Sequence, residues 1–322
     1  MQAVSFPNPG QLELIEIPRP RIAEPSDAIV LVTTSAISAW DIEKFKQGPS
    51  DKKFVPGGEF AGIVVELGSA VKLVELDDLV CNTQRIVNKE GKSEVFGTTA
   101  LDGGHAEYVR VPNADSTLIK IPESTEERAL MAGGTLGLGI NATKMAIRVN
   151  LSSTYAVVGC DPIGMSALIS LKNAGHSEQV IAVEDHAARR TLAEKFSGRT
   201  FSSSDDLPGS SSNVVIVGST REFNHPNVIA HLAQSGGVVV FAEPEGPKRL
   251  GDKVIKFNES AAIVAAEWPT IEDARKIVTD MQIKRLDLTP LVSHVIPFDD
   301  AIEAYQAAAK PGPGVQKVLL KF

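Results

Sequence analysis

The chain has 322 residues, 43% of them hydrophobic, and its 40 acidic and 32 basic residues give a formal net charge of −8 and a pI near 5.4. This acidic balance, without a run of lysine or arginine, disfavours nucleic acid and anionic membranes as partners. The length exceeds the roughly 100 to 200 residues of one ordinary domain, so we predict two domains.

Three features bear on where the protein works. No apolar run reaches the roughly 18 residues of a membrane span, and the first residues alternate apolar and polar instead of forming a secretory signal. The two cysteines, Cys81 and Cys160, lie in apolar, strand-like stretches, which indicates buried thiols in a reducing compartment. We therefore predict a cytoplasmic protein.

The first 122 residues or so alternate short β-like runs with glycine and proline, a pattern typical of a β-barrel. Predicted strands are 28–33, 61–67, 79–80 and 106–111.

From Glu123 onward the pattern becomes helical and then alternates. A long helix, interrupted near its start by glycines, is predicted over 129–149. Four strands are predicted after it, over 154–158, 180–184, 213–218 and 237–242. The helices predicted between them are 163–174, 189–196 and 227–234. Strands and helices alternating at this spacing indicate a doubly wound parallel sheet. A Ser-rich loop is predicted over 201–212, and helices 271–281 and 298–309 with strands 292–296 and 317–322 complete the chain.

Six short motifs follow one another in a fixed order: PGGEFAG at 56–62, GGHAEYV at 103–109, VVGCDPIG at 157–164, VIAVE at 180–184, SGG at 235–237 and PFDDA at 297–301. In this order the chain resembles, from end to end, the medium-chain dehydrogenase/reductase superfamily, especially its zinc-type alcohol, polyol and threonine dehydrogenases. The resemblance implies an α/β protein with a GroES-like β-barrel domain (1–125 and 268–322) and an inserted Rossmann domain with a doubly wound parallel sheet (126–267). It also implies an active cleft between them and a homodimer formed through edge strands near 238–242.

A dinucleotide fingerprint requires three glycines, for the turn, for the approach of the pyrophosphate and for the packing of the helix on the strand. Gly159 and Gly164 supply the first and third, but Asp161 stands at the second and brings negative charge toward the phosphates. Glu184 ends the next strand, where an acid accepts hydrogen bonds from the adenine ribose. We predict NAD binding, with loss of the nucleotide as the alternative. The predicted cofactor residues are Gly159, Asp161, Ile163, Gly164, Glu184 and Gly218.

The resemblance also marks where metal ligands would stand. Ser38, Gly58 and Gly134 occupy the family's catalytic zinc positions, and only Glu59 keeps a ligand side chain. The stretch 82–97, where the family carries four cysteines for a structural zinc, has none. One carboxylate cannot hold zinc, so we predict a protein without metal.

Trp40 replaces the small hydroxyl residue that touches the substrate in relatives, and Glu43 matches the relay histidine. The indole is either a wall for the substrate or packing that fills the vacated space. Glu59 is either a general acid or base, or a structural carboxylate paired with a basic residue across the domain boundary. The predicted catalytic residues are Glu59, Trp40, Ser38 and Asp41, with Asn141 as a further cleft candidate.

Three functions remain open. The first is a zinc-independent NAD(P)-linked oxidoreductase that acts on an activated alkene or carbonyl of a small organic substrate. The second is a redox-neutral biosynthetic enzyme, a cyclase, isomerase or lyase, that reuses the cleft. The third is a non-catalytic binding protein.

Overall fold

The computed structural model describes residues 1–49, 53–149, 154–202, 207, 212–219, 229, 232–250, 261–310 and 315–322. The strands in these ranges are β1 (Gln2–Ser5), β2 (Glu13–Glu16), β3 (Ala28–Ile37), β4 (Glu59–Leu67), β5 (Leu79–Asn82), β6 (Arg85–Val87), β7 (Ser93–Val95), β8 (Tyr108–Val111), β9 (Leu118–Lys120), β10 (Tyr155–Val158), β11 (Val180–Val183), β12 (Arg199–Phe201), β13 (Ser212–Val217), β14 (Ala233–Phe241), β15 (Ala262–Ala265), β16 (Val292–Pro297) and β17 (Lys317–Lys321). The helices are α1 (Ala39–Gln47), α2 (Ala114–Thr117), α3 (Glu126–Ala129), α4 (Thr135–Val149), α5 (Pro162–Asn173), α6 (Ala187–Ala193), α7 (Gly246–Leu250), α8 (Ile271–Gln282) and α9 (Ala301–Ala309).

A mixed sheet joins the two ends of the chain. Its order is β16-β17-β3-β4-β5-β9, and β8 also pairs with β3. Residues such as Val30, Phe60 and Phe96 fill its interior, where the two phenylalanine rings meet edge to face with centroids 5.3 Å apart. The predicted barrel-type fold is confirmed, and the C-terminal strands β16 and β17 belong to this sheet.

A parallel sheet occupies the middle of the chain, in the order β12-β11-β10-β13-β14-β15. This is the Rossmann order, in which the third strand lies at one edge and the first strand beside the fourth. Alternate residues of β10 enter different cores, Val157 on one face and Val158 on the other. Because both faces are covered, the strands are apolar throughout instead of alternating. The predicted α/β fold is confirmed.

Three predicted details differ from the structure. The long helix predicted over 129–149 is split, because the glycine turn at Gly133 and Gly134 separates α3 from α4. The segment 238–242 is no sheet edge, since β14 lies between β13 and β15; β12 and β15 are the edges of the described sheet. Of the helix predicted over 227–234, four residues lie outside the described ranges, Ile229 and Leu232 are helical, and the last two residues belong to β14. Most of the Ser-rich loop also lies outside the described ranges.

Strand register brings the cleft residues together. Ala36 in β3 is opposite Glu59 on one side and opposite Leu319 on the other. The first residues of β4 and β17 therefore lie at the same end of the mixed sheet, next to the start of α4. No helix in the described ranges is long and apolar enough to cross a bilayer.

Candidate active site

The N-terminus of α1 forms one wall of the cleft. Ser38 is its N-cap: its hydroxyl accepts the Asp41 backbone N–H at 3.2 Å and donates to Asp41 Oδ2 at 2.6 Å, and the same carboxylate oxygen accepts the Ser38 N–H. Asp41 Oδ1 accepts the Gly57 N–H at 2.9 Å. Asp41 is 1% exposed, and its carboxylate fixes the helix and the Gly57 loop.

A buried ion pair lies at the base of the cleft. Lys317 Nζ is 2.7 Å from Glu59 Oε2, and the two side chains are 3% and 1% exposed. Lys317 also donates a hydrogen bond to Thr135 Oγ1 at 3.0 Å, while Glu59 Oε1 accepts the Thr135 backbone N–H at 2.5 Å. The predicted basic partner of Glu59 exists, but it comes from β17 of the same sheet and not from across the domain boundary.

The two glycines at predicted ligand positions lie against Gln84. A Cβ added to Gly58 would be 2.6 Å from Gln84 Nε2, and one added to Gly134 would be 2.6 Å from Gln84 Oε1 and 2.4 Å from Glu59 Oε1. The amide of Gln84 and the carboxylate of Glu59 therefore occupy the space that side chains at 58 and 134 would need.

Zinc requires three or four Cys, His or carboxylate donors around one point. Here the Ser38 hydroxyl is used in a helix cap, the Glu59 carboxylate is paired with Lys317, and the glycines have no room for a side chain. The described residues contain no group of three or more His, Cys, Asp or Glu that could hold a metal. Within 82–97, where the relatives carry their structural-zinc cysteines, this chain forms the antiparallel pair β6 and β7. The residues present do not fit the metal.

A cavity of about 600 Å³ opens above the ion pair. Its walls include Ser38, Trp40, Gln84, Thr135, Ile163 and Trp268. Both tryptophans of the chain thus line one space, and Trp40 is also covered by the Lys44 ammonium, 5.1 Å from the ring centroid. Asn141 is not part of this wall, because its side chain contacts Lys144 and the Glu267 carbonyl.

The turn after β10 has the geometry of a dinucleotide loop. Gly159 adopts φ +82°, a conformation that favours glycine. A Cβ on Gly164 would lie 1.8 Å from the Gly159 carbonyl oxygen, and one on Gly218 would lie 2.7 Å from the same atom. Only glycine allows this packing of helix, turn and neighbouring strand.

Asp161 crosses the crevice between β10 and β13. Its Oδ1 accepts the Gly164 N–H at 2.9 Å, and its Oδ2 accepts the Ser219 N–H at 3.0 Å. The carboxylate is 4% exposed and caps α5, where a phosphate group would otherwise receive the helix N–H groups.

Glu184 follows β11 and faces the same turn. Its carboxylate accepts the Cys160 N–H at 2.7 Å and the His186 N–H at 2.9 Å. Each oxygen of a carboxylate has a second acceptor position, so this acid retains capacity for ribose hydroxyls.

A small cavity beside Asp161 is bordered by two cations, Arg189 and Lys317. Arg189 is 7% exposed, and its guanidinium approaches the Val315 carbonyl. The carboxylate of Asp161 lines the same cavity, and the ammonium of Lys317 is paired with Glu59.

Sequence reasoning missed the three side chains that build the base of the cleft: Lys317, Gln84 and Thr135. A lysine before the apolar run of β17 was a faint signal, because charged residues are seldom buried without a partner. Gln84 lies within a polar run after β5, and Thr135 follows a glycine pair at a helix start. Nothing in the chain order places these residues together.

The comparisons with known proteins agree with this architecture. Residues 24–123 match the alcohol dehydrogenase GroES-like domain model. A zinc-type alcohol dehydrogenase of Aspergillus flavus is 32% identical over 228 residues, covering 65% of this chain and 53% of that protein, so the match spans about half the relative's length. An alcohol dehydrogenase of Cupriavidus necator is 27% identical, covering all of this chain and 98% of the relative.

Among solved structures, a putative zinc-binding dehydrogenase of Sinorhizobium meliloti bound to NADP superposes with a TM-score of 0.77 at 24% identity, covering all of this chain and 99% of that one. At this identity the likeness shows the fold alone. The matched domain and the sequence relatives support a place for this chain in the medium-chain dehydrogenase/reductase superfamily.

Proposed function

We propose that the protein is a nicotinamide-dependent oxidoreductase that works without a metal on a carbonyl or activated alkene of a small organic substrate. The observation that carries the proposal is the combination of a dinucleotide-type turn with a cleft base in which Gln84 and the Glu59–Lys317 pair stand where a metal and its ligands would be.

The residues around the turn after β10 fit a dinucleotide, with the exception of Asp161. The diphosphate of the dinucleotide would lie against Gly159, Ile163, Gly164 and Gly218. Glu184 would bind the adenine ribose, and its negative charge favours NAD over NADP. When bound, the nicotinamide would supply or take up the hydride. The protein's own task is then to position the substrate and stabilise the charge that develops on it.

The exception is Asp161, whose charge opposes a diphosphate. Arg189 borders the same small cavity, whereas the ammonium of Lys317 is already paired with Glu59. An anion there would be attracted by Arg189 and repelled by Asp161, so we expect binding that is weaker than in an enzyme with glycine at position 161 but still saturable.

The substrate would lie in the 600 Å³ cavity between the two sheets. Trp40 forms a wall of that cavity, which supports its interpretation as a surface for the substrate. Glu59 does not line the cavity; it holds the Lys317 ammonium in place, a positioning role instead of acid or base catalysis. Asp41 and Ser38 fix the α1 wall.

A redox-neutral enzyme is the second candidate, and Asp161 is the observation that favours it. Its carboxylate already satisfies the Gly164 and Ser219 N–H groups that a diphosphate would use. A cyclase, isomerase or lyase would need the cavity but not the nucleotide.

Titration with NADH and NADPH, followed by nicotinamide fluorescence, distinguishes the oxidoreductase from the redox-neutral enzyme. We expect saturable binding with NADH preferred. Replacing Glu184 with Gln should reduce that preference roughly tenfold, since the charge that repels a 2′-phosphate is lost. The exposed Glu178→Gln, on the loop before β11, is the matched control and should leave the preference unchanged. No saturable signal at millimolar concentrations of either nucleotide would overturn the oxidoreductase proposal.

A further inference from the structure

We propose that the hydroxyl of Thr135, polarised by the Lys317 ammonium, is the group that binds the substrate's carbonyl oxygen. This role rests on the proposed function for the reaction itself, but binding of the carbonyl needs no nucleotide. A neutral hydroxyl and a fixed ammonium would together polarise the carbonyl, as a metal ion does in other enzymes.

The hydrogen bond between Lys317 and Thr135 can have only one direction. Lys317 has only donors, so Thr135 Oγ1 must accept in their 3.0 Å contact. The hydroxyl hydrogen of Thr135 then points elsewhere, and no acceptor for it is found among the residues that the structure describes. Thr135 is 7% exposed and lines the cavity, which is where an acceptor from a substrate would lie.

The Lys317 ammonium lies in a buried environment. Lys317 is 3% exposed and held by Glu59, so its charge is fixed in position and shielded from water. A hydroxyl that accepts a hydrogen bond from a cation becomes a stronger donor, because hydrogen bonds in a chain polarise one another. Negative charge growing on a carbonyl oxygen would be stabilised by such a donor without reorganisation.

The neighbouring hydroxyl on the α1 wall is not available for this role. Ser38 already donates to Asp41 Oδ2 at 2.6 Å. Gln84 also lines the cavity, and its amide N–H is a second donor that would help to orient the same oxygen. Lys317 does not line the larger cavity and acts through Thr135, so it is a positioning residue.

The test uses two probes of the same shape, cyclohexanone and methylenecyclohexane, which differ only in C=O against C=CH₂. Binding is followed by tryptophan emission, since both tryptophans of the chain line the cavity. The measured quantity is the ratio of the two dissociation constants. Thr135→Val should shift this ratio against the ketone by roughly tenfold, the effect of a hydrogen bond strengthened by a charge.

Thr135→Ser keeps the hydroxyl and should keep the wild-type ratio. Lys317→Met should shift it in the same direction as Thr135→Val, and by less. Thr143→Val is the matched control: it removes a hydroxyl from the same helix, one that is bonded to the Gly139 carbonyl outside the cavity, and it should leave the ratio unchanged.

A ratio in Thr135→Val within about twofold of wild type, or no ketone binding to the wild type, would overturn the proposal. An equal shift in Thr143→Val would do the same, because the effect would then be general. Neither probe needs a nucleotide to bind. Failure of NADH binding would therefore overturn the oxidoreductase proposal without changing the ratio of the two dissociation constants or what it says about Thr135.

Discussion

Breaking the Glu59–Lys317 pair should be among the most destabilising single changes that the cleft allows. Both side chains are almost fully buried, and their charged atoms are 2.7 Å apart. Lys317→Met leaves a buried carboxylate without its cation, and Glu59→Gln leaves a buried ammonium without its anion. Each change should lower the free energy of unfolding by about 3–5 kcal/mol.

The double variant should cost no more than either single one, because neither residue then leaves an uncompensated charge. Urea denaturation of the four proteins at pH 7 gives the three differences and their coupling. The exposed pair Lys89–Glu24 has the same 2.7 Å separation with side chains 69% and 51% exposed, so Lys89→Met should cost less than about 1 kcal/mol.

Two outcomes would refute this reasoning. Single variants that each cost less than about 1 kcal/mol would mean that the pair is solvated in the folded protein. Costs that add in the double variant within about 0.5 kcal/mol would mean that the two charges do not interact.

Three further predictions concern other sites. Asp161→Ser keeps a helix N-cap but removes the charge, so NADH should bind roughly three- to tenfold more tightly, and unchanged or weaker affinity would contradict a phosphate position there. Burial lowers the pKa of His105 below its usual 6.5, so the folded state binds fewer protons than the unfolded state and the free energy of unfolding should fall as the pH drops below 6.5; urea titrations of His105→Gln should show a smaller fall. Burial raises the pKa of the Cys81 thiol to about 12 and that of Cys160 well above 9.0, so an aromatic disulfide reagent at pH 8 should react with neither thiol until urea unfolds the chain, and rapid labelling of the native protein would show that a thiol is accessible.

Most of the architecture could be predicted from the sequence because it depends on local pattern. Apolar strands alternating with helices gave the parallel sheet, and the glycines at 159 and 164 marked its nucleotide turn. The split between α3 and α4 was less visible, since glycines weaken a helix prediction without fixing where the helix begins again. The edge of the sheet depended on β15, whose apolar run 261–266 is mostly alanine, a residue depleted in strands.

The base of the candidate site could be predicted only in part. Glu59 was visible as the one ligand-type residue left, and a basic partner was expected for it. The identity of that partner was not, because Glu59 and Lys317 are far apart in the chain and meet only through the register of β4 and β17 against β3. Gln84 was likewise invisible, since nothing in the sequence says that an amide fills the space beside two glycines.

Turnover after metal removal distinguishes a metal-free oxidoreductase from a zinc enzyme. The protein would be dialysed against a strong chelator, its zinc content measured by mass spectrometry, and NADH oxidation followed with a panel of ketones, enones and quinones. We predict NADH-dependent reduction of at least one of these classes, with zinc far below one atom per chain and a rate that added zinc does not raise. Activity that disappears with the chelator and returns with one equivalent of zinc would contradict the account.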